Sequence, residues 1–243
     1  IRTGGHTIGY GKGNDWIGPE YGLGQVVGNA LDEDVVIIKV AWGGKSLDED
    51  FRSQTAATRR GLGVGTYWTD MVTDMKTALD KDNIEALFPQ FAGREFDVSG
   101  FGWHQGWNDR VNDDFTARYE DNMADFIKDV RAEFGSDLPF IIANTGIDPG
   151  VPATDAIIAA QNAMADFGKY PGHEGNVLVV DTTGMYRPEE DSPSRFNFHW
   201  HHNGLTHYDI GAGMGEAYLT LVPEPSSILL LGAGGWLVLR RRR

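Results

Sequence analysis

The 243-residue chain contains no cysteine. This absence excludes disulfide bonds, thiolate metal ligands and a cysteine nucleophile. Positive charge is also scarce, since 21 Lys and Arg stand against 35 Asp and Glu. Four arginines end the chain, so residues 1–222 carry 17 basic and 34 acidic side chains, a net charge of −17. So acidic a body disfavours a nucleic acid as partner.

Two further features are missing at the N-terminus, which has neither an initiator Met nor a basic-then-apolar leader of signal-peptide form. We therefore expect that processing or truncation has removed an N-terminal part. The composition that remains, 41% hydrophobic and 23% charged, is ordinary for a soluble globular domain.

Hydrophobic periodicity predicts an alternation of strands and helices, which is typical of an α/β fold with a mostly parallel sheet. Helix caps and breakers fit this alternation, with Thr154 or Asp155 as a cap and Gly135 as a stop. The predicted strands are residues 35–40, 95–103, 139–143 and 176–181, and the predicted helices are residues 21–31, 67–79, 115–134, 154–167 and 204–221.

The C-terminal tail differs from the rest of the chain. Residues 222–227 form a Pro-containing break, residues 228–239 are uncharged and apolar, and four arginines follow. The apolar run is short for a spanning helix, which needs about 17 to 25 residues. A core helix would not end in four adjacent cations, whereas a membrane segment retained on the cytoplasmic side would. We therefore predict a globular domain at residues 1–221 and a sorting or transmembrane helix segment at residues 222–243.

A polar segment follows the predicted strand at residues 95–103 and ends in Gly106, Trp107, Asn108 and Asp109. Such a segment at the carboxyl end of a strand lies where open α/β folds bind ligands. The Asn side chain and the Gly backbone N–H can both donate to a developing oxyanion. A turn with an Asn cap before the next helix explains the same residues equally well.

A glycine pair, Gly43 and Gly44, follows the strand at residues 35–40. It could let a substrate approach the backbone and supply a second oxyanion donor, or it could be a plain turn. The spacing of a phosphate loop is absent. Ser46 is a conceivable nucleophile, but a Ser in such a turn is more often a helix cap.

Three histidines, His199, His201 and His202, lie within four residues. A metal site is one interpretation, yet the adjacent pair points apart and no regular spacing places a carboxylate on the same face. One histidine acting as a general base before the final helix is better motivated, because His titrates near working pH. Polar loop histidines without a catalytic role remain the alternative. We predict neither a metal nor a cofactor.

In order along the chain, these segments resemble the SGNH hydrolases, in particular the sialate O-acetylesterase-like carbohydrate esterases. The resemblance covers about residues 15–220 and is carried by residues 17–22 (IGPEYG), 38–47 (IKVAWGGKSL), 103–109 (WHQGWND), His199 with Asn203, and 210–215 (IGAGMG).

This resemblance implies a flavodoxin-like three-layer α/β/α fold and hydrolysis of O-acetyl or other O-acyl esters on carbohydrate. It implies that His199 is the base and that Asn108, with Gly43 or Gly44, donates to the oxyanion. The residues that would line the substrate approach are Trp42, His104, Gln105, Gly106 and Trp107.

The chain departs from the family pattern in two places. The nucleophile of the family lies in a Gly-Gln-Ser-Asn or Gly-Asp-Ser turn after the first strand, and neither turn occurs here. We therefore expect the nucleophile and the first, central strand to lie upstream of this chain, and the chain alone to be inactive. The family often has an Asp three residues before the His, where Phe196 stands. Two alternatives follow: Glu189, Glu190 or Asp191 supplies the carboxylate, or a dyad suffices without one.

The tail resembles a PEP-CTERM sorting signal, because a Val-Pro-Glu-Pro-Ser-Ser sequence precedes an apolar stretch and an Arg cluster. This implies a bacterial protein that is exported, retained in the membrane and processed by an exosortase. A different function on the same fold is a non-catalytic glycan-binding surface protein that uses an aromatic rim of Trp42, Trp103, Trp107 and Trp200.

Overall fold

The computed structural model describes residues 16–148, 150–194, 196, 198–222, 230–233 and 235–241. Its helices are α1 Glu20–Ala30, α2 Gln54–Arg60, α3 Thr66–Leu79, α4 Lys81–Leu87, α5 Asp113–Phe134, α6 Pro152–Ala163 and α7 Gly204–Leu221. Its strands are β1 Val36–Val40, β2 Phe96–Val98, β3 Phe101–Trp103, β4 Phe140–Ala143, β5 Val177–Val180, β6 Leu230–Ala233 and β7 Gly235–Arg241. The predicted α/β class is therefore confirmed.

The strands form one sheet in the order β2-β7-β1-β6-β3-β4-β5. From β1 through β6, β3 and β4 to β5 all neighbours run parallel, whereas β7 is antiparallel to β1 and β2. Because β1, β3, β4 and β5 point the same way, the loops that follow them leave from one edge of the sheet.

The sheet is covered by helices on both faces, as β4 shows most clearly. Phe140 and Ile142 lie in one apolar cluster with side chains of α3, α5 and α6. The alternate residues Ile141 and Ala143 lie in a second cluster with side chains of α1 and α7. A strand buried on both faces explains why this segment reads as a continuous apolar run.

The predicted strand at residues 95–103 is in fact two strands, β2 and β3, interrupted at Ser99 and Gly100. The hydroxyl of Ser99 lies 3.0 Å from the Tyr218 hydroxyl of α7 in a buried hydrogen bond. β2 pairs with β7, while β3 pairs with β4. β3 also pairs with β6 and, at Gly102, with β7, so the apolar run supplies strands at two separate places in the sheet.

The cap predicted for α6 is wrong. The helix begins at Pro152, whose fixed φ suits the first helical position, and Val151 precedes it without a side-chain cap. Thr154 is fully buried inside the first turn. Asp155 accepts a hydrogen bond from the backbone N–H of Gly150 at 3.1 Å, so it stabilises the preceding turn.

Helices α2 and α4 were not predicted because each has only seven residues. α4 buries a single large apolar side chain, Ile84, so no periodic stripe is visible in the sequence. Its start is fixed instead by Asp80, whose carboxylate accepts hydrogen bonds from the backbone N–H groups of Asp82 and Asn83.

The expected transmembrane helix is replaced by strands wherever the structure describes the tail. β6 pairs in parallel with β1 and β3, with Ala233 in register with Val40 and Trp103. Pairing satisfies the backbone of a segment too short for a spanning helix. Residues 223–229, 234, 242 and 243 lie outside the described residues. Among those described, no helix has the length and apolar character needed to cross a membrane.

Candidate active site

The carboxylate of Asp109 joins the loop after β1 to the loop after β3. It is fully buried and accepts hydrogen bonds from the backbone N–H groups of Leu47, at 2.9 and 3.0 Å, and Asp48, at 3.0 Å. It also accepts one from Gln105 Nε2 at 2.6 Å. We call residues 42–48 and 103–109 the Asp109 corner.

Burial raises the pKa of Asp109 to about 6, although the hydrogen bonds from Gln105, Leu47 and Asp48 act in the opposite direction. Desolvation therefore outweighs the hydrogen bonding that favours the charged form. The carboxylate holds backbone on one loop and a side chain on the other, which is a positioning role.

Gln105, predicted to line the substrate approach, ties the corner together. Its Nε2 donates to Asp109 and to the carbonyl oxygen of Lys45, the latter at 2.9 Å. The Tyr119 hydroxyl lies 3.0 Å from the Gln105 carbonyl oxygen and 3.1 Å from Oε1. Both amide N–H groups are thus used within the protein, and substrate contact by Gln105 stays a prediction.

The glycines of the two loops have opposite surroundings. Gly43 and Gly44 are exposed, and a Cβ added at either would meet nothing within 4 Å. Gly44 also has a left-handed φ of 67°. Gly106 is buried with φ 153°, and a Cβ there would lie 2.2 Å from Thr145 Oγ1. The glycine pair is open to an incoming ligand, whereas Gly106 is required by packing.

The loop after β1 is anchored a second time by Asp48, whose side chain is 1% exposed. Its carboxylate accepts from Arg60 at 2.8 Å, Arg118 at 2.8 Å and Asn122 at 2.9 Å. Burial acts to raise the pKa of Asp48, but the hydrogen bonds from Arg118, Asn122 and Arg60 prevail and lower it. The charged form is thus held beneath the glycine pair.

The prediction that Ser46 caps a helix is wrong, because the next helix, α2, begins at Gln54 after Ser53, and Ser46 stabilises a turn instead. It is buried, and its hydroxyl donates to Asp50 Oδ2 at 3.1 Å. Ser46 Oγ itself accepts a hydrogen bond from the backbone N–H of Glu49 at 3.2 Å. A hydroxyl committed to this turn is not presented to a ligand.

Asn108 does not act as the helix cap that was its alternative role. It is half-buried and precedes a short 3₁₀ turn without making a side-chain cap hydrogen bond. The cap of α5 is Asn112, which accepts from the backbone N–H groups of Asp114 at 2.9 Å and Phe115 at 3.2 Å. Capping therefore explains Asn112 and leaves the Asn108 amide to be explained otherwise.

Residues 198–203, which we call the histidine loop, reach the Asp109 corner through buried Trp200. The Trp200 ring packs 4.8 Å from the ring of His104, measured between centroids. Contacts thus join the loops after β1 and β3 to the loop before α7.

Four consecutive residues of this loop have left-handed backbone, since φ at 199–202 lies between 51° and 54°. Each such conformation costs roughly 1 to 2 kcal/mol for a residue with a side chain. Hydrogen bonds hold the turn: the two ring nitrogens of His201 lie 2.7 Å from the Phe196 carbonyl oxygen and 3.0 Å from the Tyr186 hydroxyl, and Ser194 Oγ donates to the His201 carbonyl.

Among the histidines that the structure describes, only His199 is exposed. Its ring lies nearly parallel to that of His202, with centroids 5.8 Å apart. A general base must reach the proton that it abstracts. Of the histidines in this loop, His199 has the accessibility that this role requires.

His104 and His207 are held as neutral imidazoles beneath the loop. His104 Nδ1 lies 3.1 Å from the carbonyl oxygen of Ala143; since a carbonyl only accepts, Nδ1 carries the proton. Its Nε2, like His207 Nδ1 and Trp200 Nε1, is buried without a hydrogen-bond partner among the described residues. Burial lowers the pKa of His104 to about 4 and that of His207 to about 3.

The candidate carboxylates Glu189, Glu190 and Asp191 form an exposed 3₁₀ turn. The Asp191 carbonyl oxygen accepts from Asn203 Nδ2 at 3.2 Å, so the turn is tied to the residue that caps α7. The described residues contain no group of three or more His, Asp or Glu side chains suited to a metal ion.

The predicted aromatic rim is wrong for two of its four members, because Trp103 is fully buried and Trp200 is 7% exposed. Trp103 packs edge-on against Phe51 in the core. Trp107 is half-buried, and the Arg110 guanidinium covers its ring at 3.4 Å. Trp42, also half-buried, packs edge-on against Tyr67. The rim was the main support for a non-catalytic glycan binder.

Comparison with known proteins gives a match for each part of the chain. A family model for a carbohydrate esterase, sialic acid-specific acetylesterase, matches residues 7–220. A model for the PEP-CTERM protein-sorting motif matches residues 221–243. No curated protein matches the sequence.

Among solved structures, an X-ray structure of an Arabidopsis thaliana protein is similar to this chain with a TM-score of 0.57 and 21% identity. The likeness covers 88% of this chain and 72% of the plant protein. At that identity it shows a shared fold.

Proposed function

The chain belongs to the sialic acid-specific acetylesterase family of carbohydrate esterases, and we propose that it hydrolyses O-acetyl esters on glycans by a serine and histidine mechanism. The fold we propose is the flavodoxin-like three-layer SGNH arrangement, supported by helices on both faces of the parallel strands.

In the proposed reaction a serine from a segment upstream of residue 1 attacks the acetyl carbonyl carbon, and His199 takes the serine proton. The resulting oxyanion accepts hydrogen bonds from Asn108 and from the backbone N–H of Gly43 or Gly44. His199 then gives its proton to the departing sugar alcohol. Water, deprotonated by His199, releases acetate from the acetyl-serine and regenerates the enzyme.

The observation that carries this proposal is the bridge made by Asp109. Its carboxylate fixes the backbone at Leu47 and Asp48 to the loop that contains Asn108. Oxyanion donors are effective when they are held in place before the reaction, because no reorganisation is then needed. The bridge supplies such preorganisation for donors on two separate loops.

The remaining predicted residues keep proposed roles around this centre. Trp42, His104, Gln105, Gly106 and Trp107 line the approach; all of them except buried Gly106 are half-buried and retain some exposed surface. The carboxylate that orients His199 comes from Glu189, Glu190 or Asp191, or a dyad operates without one.

The tail bears on where in the cell the proposed reaction takes place. The sorting motif at residues 221–243 implies exosortase-dependent export and membrane anchoring. We propose that a bacterial cell carries residues 1–221 as an esterase domain outside the cytoplasm, held by the segment 222–243 until an exosortase cleaves it.

Neighbouring histidines provide a matched test in the complete natural protein. We expect His199→Ala to lower kcat on 4-nitrophenyl acetate by at least about 10²-fold, the usual contribution of a general base. His201→Asn should stay within about fivefold of wild type, because Asn can still donate to the Phe196 carbonyl that His201 contacts.

Added imidazole should restore part of the activity of His199→Gly, which a purely structural role would not allow. Wild-type turnover by His199→Ala would remove His199 from the mechanism.

A further inference from the structure

The exposed aromatic side chains of this protein are gathered in one place. Among the Trp, Phe and Tyr residues whose side chains the structure describes, only Trp16, Phe196 and Phe198 are exposed, at 40%, 37% and 52%. All other described aromatic rings are buried or half-buried. Scattered exposed aromatics need no explanation, but a cluster of them marks a binding surface.

The three rings are connected to each other and to His199. Phe196 stacks on His202 at 4.0 Å with 18° between the planes, and His202 lies nearly parallel to His199 at 5.8 Å. Trp16 packs 4.5 Å from His202, and Phe198 meets Phe196 edge-on at 5.7 Å. We call Trp16, Phe196 and Phe198, with His199 and His202, the aromatic cluster.

The position of the cluster indicates its occupant. It ends at His199, the exposed imidazole proposed as the base, and it flanks the loop that reaches the Asp109 corner through Trp200. A ring bound there would have its ester close to the reacting groups. The tryptophans predicted as an aromatic rim are less suited to bind such a ring, since Trp103 and Trp200 are buried.

The chemistry of the cluster suits a sugar ring. Aromatic faces carry partial negative charge, and the axial C–H bonds on one face of a pyranose carry partial positive charge. Stacking also removes apolar surface of both partners from water. A carbohydrate esterase needs a surface of this kind for the sugar that bears the ester.

We propose that Trp16, Phe196 and Phe198 bind the pyranose ring of the acetylated glycan, so that the sugar stacks beside His199. This inference rests on the proposed function and adds to it the residues that recognise the sugar. None of the three touches the ester itself, so they act through binding.

Two substrates separate sugar binding from ester chemistry in the complete natural protein. One is ethyl acetate, which has no ring; the other is O-acetylated sialic acid or acetylated xylo-oligosaccharide, whichever wild type hydrolyses faster. We expect Phe198→Ala to raise KM for the glycan about tenfold, which corresponds to about 1.4 kcal/mol, with kcat unchanged. Both constants for ethyl acetate should stay at wild-type values.

The control is Leu62→Ala, a truncation of a 48% exposed side chain away from the cluster, which should change neither substrate. Phe198→Trp should retain the wild-type KM for the glycan, because it keeps an aromatic face. An unchanged glycan KM in Phe198→Ala, or an equal loss on both substrates, would overturn the proposal.

Failure of the proposed function gives a different result. If the complete protein hydrolysed none of these esters, the esterase mechanism would be wrong, and calorimetric binding of the same two glycans would decide about the cluster. Loss of binding in Phe198→Ala, with binding kept in Leu62→Ala, would support it. Absence of glycan binding by wild type, or equal binding by Phe198→Ala, would overturn it.

Discussion

The Asp109 corner and the histidine loop contribute to one candidate site but are held in different ways. In the corner, the buried carboxylates of Asp48 and Asp109 fix backbone and side chains by hydrogen bonds. In the histidine loop, residues 199–202 have left-handed backbone, and the three histidine rings are exposed or half-buried while Trp200 is buried. The proposed oxyanion donors therefore lie on loops that buried carboxylates hold in place, and the proposed base lies at a more exposed position.

This contrast has a chemical meaning. Oxyanion donors lose their value if they must reorganise during the reaction. A general base must come within hydrogen-bond reach of the serine, the leaving group and the water in turn, so an exposed side chain such as that of His199 suits it. Substitutions of the buried corner residues Asp48 and Gly106 should therefore reduce stability strongly, and those at exposed positions should not.

The largest effect is expected at Asp48. Asp48→Ala leaves Arg118, Arg60 and Asn122 without their buried partner, and the loss of one member of such a set costs about 3 to 5 kcal/mol. Asp114 provides the matched control, because it pairs with the same Arg118 at 3.5 Å but is 82% exposed. Asp114→Ala should cost less than about 1 kcal/mol.

Urea unfolding of both variants measures these differences. Equal losses of unfolding free energy at Asp48 and Asp114 would show that the corner is no more rigid than the surface.

A smaller effect separates two glycines of the corner. Gly106→Ala places a Cβ 2.2 Å from Thr145 Oγ1 and should lower the unfolding free energy by about 3 kcal/mol through overpacking and strain. Gly44→Ala meets no atom within 4 Å, so only its left-handed φ acts, at about 1 kcal/mol. Thermal unfolding distinguishes them, and a larger loss at Gly44 would contradict the packing described.

The smallest effect is a pH dependence from the buried imidazoles. Burial lowers the pKa of His104 to about 4 and of His207 to about 3, from 6.5. Below pH 6.5 the unfolded chain binds more protons than the folded one, so stability falls as pH falls. Each histidine makes the unfolding free energy change by about 1.4 kcal/mol per pH unit. Between pH 6 and 4 Asp109 partly offsets this change, because its pKa is raised in the folded state.

His207→Asn removes one of these two contributions. The variant should therefore show a shallower slope of unfolding free energy between pH 6 and 4 than wild type. An unchanged slope would show that His207 is not buried as a neutral imidazole.

The strongly periodic elements of the fold could be predicted from sequence. α3, α5 and α7 begin within two residues of their predicted starts and end at the predicted residues, because each carries an apolar stripe that its core cluster buries. Short elements such as α2 and α4 have no such stripe. The interruption between β2 and β3 depends on the contact of Ser99 with Tyr218, which is 119 residues away.

The candidate site was predictable at the level of loops but not of contacts. The Gly pair, the Asn108 segment and the histidines stand out by residue type and place. The hydrogen bonds that Asp48 accepts from Arg118 and Asn122 join residues 70 and 74 positions apart. No local sequence pattern reveals such contacts. Exposure is equally non-local, which is why Trp103 was assigned to a rim while Phe198 was overlooked.

Asn108 offers the most direct test of the oxyanion site, because its amide has no capping role and is proposed to donate to the oxyanion. The decisive measurement is kcat of Asn108→Ala on 4-nitrophenyl acetate in the complete natural protein. A loss of about 10²- to 10³-fold, with the unfolding free energy within about 0.5 kcal/mol of wild type, is the predicted result. A kcat equal to that of wild type would contradict the assignment of the Asp109 corner as the oxyanion site.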